Sequence, residues 1–238
     1  MKQAIVIGAT SGIGRGLAGR LAAAGWRVGA VGRREGLLRE LAATAPANIS
    51  YAVADVTQPA ACIAALDELV ERMGGMDLCV VCSGTGELNP ALDFTLEEPA
   101  IRTNVLGWTA VVDWAYGWFE RRGGGDLAVV TSVGGLRGSA AAPAYNASKA
   151  YQINYAEGLR QRAAKSASGV RVIDIRPGLV DTAMAKGEGL FWVMPVDRVV
   201  DQMLRALRRG GRVAVVTRRW RVAAWLLRLL PESLYLKL

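Results

Sequence analysis

Short apolar runs, each bounded by turn-forming residues, recur along the chain with amphipathic stretches between them. Such runs are typical of strands buried on both faces, as in a parallel sheet covered by helices. Strands are predicted near residues 3–8, 26–31, 49–54, 77–82, 126–132, 170–176 and 212–217. Helices are predicted over residues 13–24, 35–44, 58–73, 95–122, 143–166 and 196–209. With right-handed crossovers, this order predicts a doubly wound α/β fold with seven parallel strands and helices on both faces.

The 238 residues show no change of composition that would mark a linker before about residue 217, so a single domain is predicted. The two longest predicted helices, 95–122 and 143–166, carry small and aromatic residues on more than one face. A helix that is apolar nearly all round is buried on both sides. This favours a subunit contact in a homodimer or homotetramer, although a large core within one subunit would give the same pattern.

Basic residues are concentrated at the C-terminal end of the sequence. Residues 205–238 carry nine Lys and Arg and one Glu, whereas residues 1–204 carry 20 of each sign. A nucleic-acid-binding protein is expected to have a basic face on its main body, so no nucleic-acid partner is predicted. The excess positive charge instead indicates that the C-terminal segment has its own contact surface, distinct from that of the main body.

The chain contains three cysteines and no histidine. This excludes His-based catalysis, Cys/His zinc sites and a Ser-His-Asp triad, and no metal is predicted. Cys79 and Cys82 fall in a predicted strand, where alternation puts them on opposite faces, so buried small residues are favoured over a redox pair. The sequence opens directly on a predicted strand, so no signal peptide is expected. Free thiols are typical of a reducing compartment, and a cytoplasmic location is therefore predicted.

A glycine-rich turn joins the first predicted strand to the first predicted helix. It reads Gly8-Ala9-Thr10-Ser11-Gly12-Ile13-Gly14. Glycines allow the backbone to turn sharply and to approach a pyrophosphate closely, and the helix N-terminus supplies amide donors. The strand-turn-helix context favours nucleotide binding over an incidental tight turn.

The second strand ends in Gly32-Arg33-Arg34, where an acid would be expected beside the free ribose of NAD. Guanidinium groups suit a 2′-phosphate through charge-assisted hydrogen bonds. The sequence therefore predicts NADP(H) in preference to NAD(H). Arg33 is the better candidate, because Arg34 could be a solvated residue of the next helix.

Tyr145 and Lys149 lie four residues apart at the start of a predicted helix, so both project from one face. A free phenol has a pKa of about 10, and a nearby ammonium lowers it. The pair could therefore act as a general acid/base. By itself, the same spacing is common on amphipathic helices.

Further residues follow in a characteristic order. They are Asp55 after the third strand, Asn104 in Thr-Asn-Val-Leu-Gly, Ser132 in Thr-Ser-Val-Gly-Gly, and Pro177-Gly178 after the sixth strand. With the glycine turn and the Tyr145/Lys149 pair, their order and spacing resemble the classical subgroup of the short-chain dehydrogenase/reductase family. The resemblance covers residues 1 to about 217 and implies a Rossmann-type NADP(H)-binding catalytic domain there. Residues 218–238 would form a basic, hydrophobic extension of the same domain.

The resemblance implies hydride transfer between a nicotinamide and a carbonyl or alcohol carbon. Tyr145 would donate the proton to the carbonyl oxygen, and Lys149 would lower the pKa of Tyr145 and bind the nicotinamide ribose. Ser132 would hydrogen-bond the substrate oxygen, and Asn104 would hold a water in a proton relay. Taken alone, Ser132 could instead cap a turn, and Asn104 could bond the backbone of a helix.

The resemblance also implies a set of cofactor contacts. Asp55 and Val56 would lie at the adenine, and the loop after the sixth strand would flank the nicotinamide and the pyrophosphate. Where the family usually has Thr and Asn-Ala-Gly, this chain has Ile7 and Cys82-Ser83-Gly84, which is expected to be a compensated repacking. The full implied set is Gly8, Thr10, Ser11, Gly12, Ile13, Gly14, Arg33, Arg34, Asp55, Val56, Ser83, Gly84, Tyr145, Lys149, Pro177, Gly178, Val180 and Thr182.

Two segments after the sixth strand bear on the substrate. Residues 183–195 combine two glycines, Gly187 and Gly189, with apolar residues that include Leu190, as expected for a lid over a hydrophobic substrate. A hydrophobic connector on the core is the alternative. Residues 218–238 are too short in their apolar run to span a membrane. They are expected to dock on a subunit, with peripheral membrane contact as the alternative.

The function predicted is an NADPH-dependent oxidoreductase acting on a carbonyl or secondary alcohol of a hydrophobic substrate, either a 3-oxoacyl thioester or another ketone. A hydroxysteroid-like or polyketide-type ketoreductase is a second enzyme hypothesis, and the apolar lid does not separate the two. A non-catalytic NADP(H)-binding sensor or regulator is the alternative from another class. Such a regulator need not retain the four catalytic candidates together.

Overall fold

The computed structural model describes residues 1–185 and 191–237. Seven strands form one parallel sheet, as predicted: β1 (Gln3–Ile7), β2 (Arg27–Gly32), β3 (Ile49–Val53), β4 (Leu78–Val81), β5 (Gly125–Val130), β6 (Val170–Pro177) and β7 (Val213–Val216). Their order across the sheet is β3-β2-β1-β4-β5-β6-β7. The chain moves outward from β1 in one direction and then returns to build outward from β4. The carboxyl ends of β1 and β4 therefore flank a topological switch point, where such sheets bind ligands.

Seven helices connect the strands within the described residues: α1 (Gly12–Ala23), α2 (Glu35–Ala43), α3 (Pro59–Met73), α4 (Phe94–Ile101), α5 (Trp108–Arg121), α6 (Pro143–Ser166) and α7 (Val196–Arg209). Two more, α8 (Arg218–Leu229) and α9 (Glu232–Tyr235), follow β7. The ends of several follow local rules. α3 begins with Pro59 in its first turn and is capped by Gly74 at φ +78°, and α7 is capped by Gly210 at φ +67°.

The predicted helix 95–122 is helical along its length but not uniform. α4 and α5 are joined by a π-helical segment, Arg102–Gly107. At the end of this segment, a Cβ on Gly107 would lie 2.3 Å from the carbonyl oxygen of Val56. The wider π-helical turn and this glycine let the helix approach the loop after β3, which a periodicity pattern does not reveal.

Two apolar clusters cover the two faces of the sheet. One contains Leu17 of α1 and Met203 of α7, and the other contains Leu69 of α3 and Trp108 of α5. Cys79 belongs to the second cluster and Cys82 contacts the first, so the two thiols point to opposite faces as predicted. Helices on both faces bury the sheet and leave its carboxyl edge for the site.

The C-terminal segment docks on its own subunit. Trp220 and Ala224 of α8 are buried against the 3₁₀ turn Val133–Leu136 that follows β5. Arg137 donates through Nε to the carbonyl oxygen of Leu227 at 2.8 Å and through Nη2 to that of Leu230, at the end of α8. Across residues 1–185 and 191–237, the helices are all too short or too polar to cross a membrane.

Candidate active site

The glycine turn between β1 and α1 has no space for side chains at two of its glycines. Gly8 adopts φ +89°, and a Cβ there would lie 2.7 Å from the main-chain nitrogen of Ser83. A Cβ at Gly14 would lie 2.2 Å from the carbonyl oxygen of Gly8. Ile13 packs against the apolar cluster beneath the turn. The bare backbone allows a bound group to approach the main-chain amides closely.

The N-terminus of α1 fits an anion. Ser11 precedes the helix in an extended conformation, and its side chain makes no capping hydrogen bond. Thr182, from the loop after β6, lies beside this end, because a Cβ at Gly12 would be 3.1 Å from its methyl carbon. Uncapped amides and the positive end of the helix dipole suit a pyrophosphate. The residues present therefore fit the phosphate part of a dinucleotide.

Arg34 lies against the glycine turn. Its Nη2 donates to the hydroxyl of Thr10 at 2.6 Å and to that of Ser11 at 2.7 Å. Arg34 is exposed at the start of α2, as the sequence allowed, and these bonds also hold its guanidinium beside the expected nucleotide. Arg33 is also exposed and pairs with Asp55 at 3.6 Å. Both arginines thus lie at the carboxyl end of β2, each with a different partner.

Asp55 is held ionised at the end of β3. Burial favours its neutral form, but Thr57 donates to it from the main-chain nitrogen at 2.9 Å and from the hydroxyl at 2.8 Å, and the charge of Arg33 is near. These bonds and this charge hold the pKa of Asp55 below its ordinary value. Val56 follows and is buried in the core. The position at the sheet edge is compatible with the adenine contact that the sequence predicts.

Ser132, Tyr145 and Lys149 converge beyond the carboxyl end of β5. Nζ of Lys149 lies 5.9 Å from the centre of the Tyr145 ring. The hydroxyl oxygen of Ser132 accepts a hydrogen bond from the main-chain nitrogen of Gly134 at 3.0 Å. This is the turn-capping contact that the sequence left open. It uses an oxygen lone pair only, so the Ser132 proton stays available for donation.

Burial raises the pKa of Tyr145, and a hydrogen bond with Ser132 offsets part of that shift. The phenol therefore carries its proton at neutral pH. A protonated phenol beside a serine hydroxyl can donate to the oxygen of a carbonyl group.

Lys149 is buried at the base of the site. Its Nζ donates to the main-chain oxygen of Val130 at 3.2 Å and to the side-chain oxygen of Gln152 at 2.9 Å. Burial lowers the pKa of Lys149 to about 8, while the negative charge of Asp174 opposes the shift. The ammonium group therefore titrates just above neutrality.

Asn104 is fully buried in the π-helical segment. Its Oδ1 accepts from the main-chain nitrogen of Thr85 at 2.9 Å. Its Nδ2 donates to the main-chain oxygen of Thr85 at 2.7 Å and to the hydroxyl of Ser148 at 2.9 Å. The side chain thus makes the backbone contacts that the sequence left open, and it ties the loop after β4 to α6.

Gln152 was missed by the sequence analysis. It is fully buried, accepts from Nζ of Lys149, and donates through Nε2 to the main-chain oxygen of Asn104 at 2.9 Å. A side chain therefore connects Asn104 directly to Lys149. The signal was present, because a polar residue three positions after Lys149 lies on the same face of a helix.

The loop Cys82-Ser83-Gly84 brings the cofactor and catalytic regions together. A Cβ at Gly84 would lie 3.3 Å from Oδ1 of Asn104 and 3.3 Å from Nζ of Lys149. The buried hydroxyl of Ser83 has no hydrogen-bond partner within the described residues. A buried polar atom without a partner is unfavourable, so Ser83 fits a position that a bound group completes.

An aromatic cluster covers the loop that begins at the end of β6 with Pro177 and Gly178. A Cβ at Gly178 would lie 2.1 Å from the indole of Trp220. Phe191 stacks on Trp220 with ring centres 5.6 Å apart, and Trp192 meets it edge-on at 6.0 Å. α8 therefore lies directly against the loop expected to hold the nicotinamide.

The segment predicted as a substrate lid, residues 183–195, is anchored at its C-terminal end. Val180 pairs with Met194 in an isolated parallel bridge, and the main-chain nitrogen of Asp181 donates to the Met194 oxygen at 2.9 Å. Three residues on which the lid prediction relied, Gly187, Gly189 and Leu190, lie outside the described residues. In the described part of the chain there is no cluster of three or more residues suited to a metal ion.

Comparisons with known proteins show the family and the fold of this chain. The family described as short chain dehydrogenase matches residues 2–190. An uncharacterized oxidoreductase of Myxococcus xanthus is 34% identical over 98% of this chain and 94% of its own. A variant of actinorhodin polyketide ketoreductase, solved with NADPH, superposes with a TM-score of 0.80 and 25% identity, covering 90% of this chain and 95% of its own. A 3-ketoacyl-ACP reductase from Sinorhizobium meliloti gives 0.79 and 25%, covering 90% and 96%.

Proposed function

The chain belongs to the short-chain dehydrogenase family and is an oxidoreductase, and on that premise we propose that it is an NADPH-dependent carbonyl reductase. The proposed substrate is a hydrophobic ketone or 3-oxoacyl thioester, and the reverse reaction oxidises the secondary alcohol. The observation that carries the proposal is the meeting of Ser132, Tyr145 and Lys149 beside a glycine turn suited to a dinucleotide.

The preference for NADP(H) is supported by the two arginines after β2. Arg34 is held by two hydroxyls of the glycine turn, and Arg33 is exposed beside it. A 2′-phosphate carries charge that both guanidiniums can meet with hydrogen bonds. The ketoreductase solved with NADPH gives independent support.

The chain's own residues would perform the proton transfer and the positioning. When bound, the nicotinamide supplies the hydride. The phenol of Tyr145, which keeps its proton because burial raises its pKa, donates that proton to the carbonyl oxygen. Ser132 donates a hydrogen bond to the same oxygen and stabilises its developing charge. Lys149 places a positive charge beside the phenol as the proton leaves.

Asn104 acts in this proposal by position. Its side chain fixes the loop after β4, and its main-chain oxygen accepts a hydrogen bond from the side-chain amide of Gln152. The side-chain amide of Asn104 is already occupied by Thr85 and Ser148. The relay water expected at Asn104 would therefore donate to its main-chain oxygen, which has a second lone pair beside the bond from Gln152.

An apolar substrate is supported by the surface beside the site. Phe191 and Trp192 are exposed and cover the loop after β6 together with Trp220. The structural similarity to the Sinorhizobium meliloti 3-ketoacyl-ACP reductase supports a 3-oxoacyl thioester as substrate. The similarity to the actinorhodin polyketide ketoreductase supports a polyketide ketone. A hydroxysteroid-like ketone would use the same apolar surface.

The proposal extends to the setting of the enzyme. It works in the cytoplasm as a homodimer or homotetramer. Residues 1–217 form the catalytic domain, and residues 218–238 are an extension of that domain.

The test is a panel of ketones and 3-oxoacyl thioesters with NADPH, followed by the loss of NADPH absorbance. Tyr145→Phe removes the proton donor and is expected to lower turnover by about two to four orders of magnitude. Tyr155→Phe, on the same helix, is the matched control, because the Tyr155 hydroxyl bonds Asp113 outside the site. If Tyr145→Phe retained most of the turnover, the assigned mechanism would be wrong.

The same panel separates the enzyme from a non-catalytic sensor. A sensor would bind NADPH, measured by its fluorescence, but would turn over no substrate class above the Tyr145→Phe background. Light scattering of the purified chain distinguishes monomer, dimer and tetramer.

A further inference from the structure

Helix α8 has two apolar faces, of which one is used by the fold. Trp220, Ala224 and Leu227 face the body of the protein, and Trp220 and Ala224 are buried there. The opposite face is formed by Val222, Trp225, Leu226 and Leu229, which are 54–61% exposed. These four residues are spaced i, i+3, i+4 and i+7, so they form one continuous stripe. We call this stripe the outer face of α8.

Arginines border the outer face on both sides. At about 100° per residue around a helix, Arg219 lies on one side of the stripe, and Arg221 and Arg228 lie on the other. All three are exposed, and α8 contains no acidic residue. Residues 218–238 as a whole carry five basic residues and one acid, Glu232.

We propose that the outer face of α8 binds the surface of a membrane that contains anionic lipids. The apolar stripe would lie among the upper parts of the acyl chains, with Trp225 at the interface. The bordering arginines would extend to the headgroups, where long basic side chains keep their charge in water while their stems cover apolar surface.

The charge pattern favours a lipid surface over a second copy of the chain. In a two-fold contact between outer faces, the arginines of one copy would meet the arginines of the other. Such a contact gathers like charges with no acidic residue of α8 to compensate them. An anionic lipid surface complements the same pattern.

The docked position of α8 connects this surface to the catalytic site. The helix is fixed through Trp220 to Gly178 and through Arg137 to the loop after Ser132. A membrane-bound α8 would therefore hold the carboxyl edge of the sheet close to the bilayer, where hydrophobic ketones partition. This last step rests on the proposed function, whereas membrane binding itself does not.

The test is sedimentation of the full chain with vesicles of phosphatidylcholine alone or mixed with phosphatidylglycerol. Wild type is expected to bind the mixed vesicles at least ten-fold more strongly, with binding weakened by salt. Arg219→Gln and Arg228→Gln should each weaken binding to the mixed vesicles by about five-fold. Trp225→Ser with Leu229→Ser should abolish it. Phe94→Ser with Leu96→Ser, two exposed apolar residues of α4, is the matched control and should bind as wild type does.

A second measurement does not depend on how well the serine variant folds. Lipids with brominated acyl chains should quench the tryptophan fluorescence of wild type, and Trp225→Phe should lose that quenching while Trp26→Phe keeps it. Tyr145→Phe should bind vesicles like wild type, so a failure of the catalytic proposal is distinguished from a failure of this one. Equal binding to both vesicle types, or a serine variant that changes only the oligomer mass by light scattering, would overturn the proposal.

Discussion

The side-chain oxygen of Gln152 accepts a hydrogen bond from Nζ of Lys149 at 2.9 Å, and the amide of the same residue donates to Asn104. Gln152 has no exposed surface, so solvent does not compete for either bond. The position of the Lys149 ammonium is therefore fixed by a hydrogen bond to a fully buried residue. Gln152 is a positioning residue for Lys149.

Substitution of Gln152 is expected to change kcat and its pH dependence. Gln152→Leu removes a hydrogen bond to a charged group, about 1.5–3 kcal/mol, and should lower kcat roughly ten-fold to a hundred-fold with little change in KM. Since the acceptor stabilises the ammonium, its loss should also move the alkaline fall of kcat to lower pH. Gln152→Glu adds a negative charge beside Nζ and should move that fall to higher pH.

Gln161→Leu provides the control for this pair, because Gln161 is an exposed residue of the same helix. Its kcat and pH profile should match those of wild type. Identical pH profiles for Gln152→Leu and Gln152→Glu would show that Gln152 has a structural role only.

The buried ammonium of Lys149 should also affect stability in a defined pH range. In the folded chain its pKa is lowered to about 8 by burial, whereas in the unfolded chain it stays near the ordinary 10.5. Between these two pH values the unfolded state binds more protons than the folded state. The contribution of Lys149 to the free energy of unfolding therefore rises with pH. The free energy of unfolding of wild type relative to Lys149→Met should therefore rise by roughly 3 kcal/mol between pH 7.5 and 10.5. Urea unfolding at a series of pH values measures it, and a flat or falling difference would contradict the burial.

The two arginines after β2 should determine the choice of coenzyme. Arg34→Ala and Arg33→Ala should each lower kcat/KM for NADPH, by about ten-fold to a hundred-fold for the loss of charge-assisted hydrogen bonds, and leave that for NADH within about two-fold. Arg39→Ala, which removes an exposed partner of Glu35 on α2, should change neither. An equal loss of kcat/KM with both coenzymes would show that these arginines stabilise the glycine turn and do not bind the 2′-phosphate.

Two tryptophans of α8 should differ in their effect on stability. Trp220 is 7% exposed and rests on Gly178, so Trp220→Ala should lower the free energy of unfolding by about 3–5 kcal/mol. Trp225 is 61% exposed, and Trp225→Ala should change it by no more than about 0.5 kcal/mol. Thermal and urea unfolding of both variants give the comparison. Similar losses would mean that α8 is buried on both faces in solution.

The strands of the sheet could be predicted because each is a short apolar run, which is visible in the local sequence. β4 is buried on both faces, and its four residues are all apolar. The π-helical segment around Asn104 could not be predicted in this way. It depends on the approach of Gly107 to Val56, two residues that are far apart in sequence.

The site residues that belong to family motifs were predicted from the sequence. The hydrogen-bond partners of these residues depend on tertiary contacts and were predicted less completely. Tyr145, Lys149, Ser132 and Asn104 are identified by motif, but which groups Asn104 bonds follows from the loop after β4. Arg34 was ranked below Arg33 because sequence does not show that Thr10 and Ser11 hold its guanidinium. For α8, burial of one apolar face and exposure of the other became visible only once the helix was docked.

The placement of the Trp220 indole over Gly178 limits how this chain can be recombined with others. A chimera that receives its C-terminal helix from a relative will keep the loop after β6 intact only if the donor brings a side chain that covers a bare glycine. Conversely, a loop with a larger residue at 178 cannot accept this helix without displacing the indole. The two segments, 42 positions apart, must therefore be exchanged together.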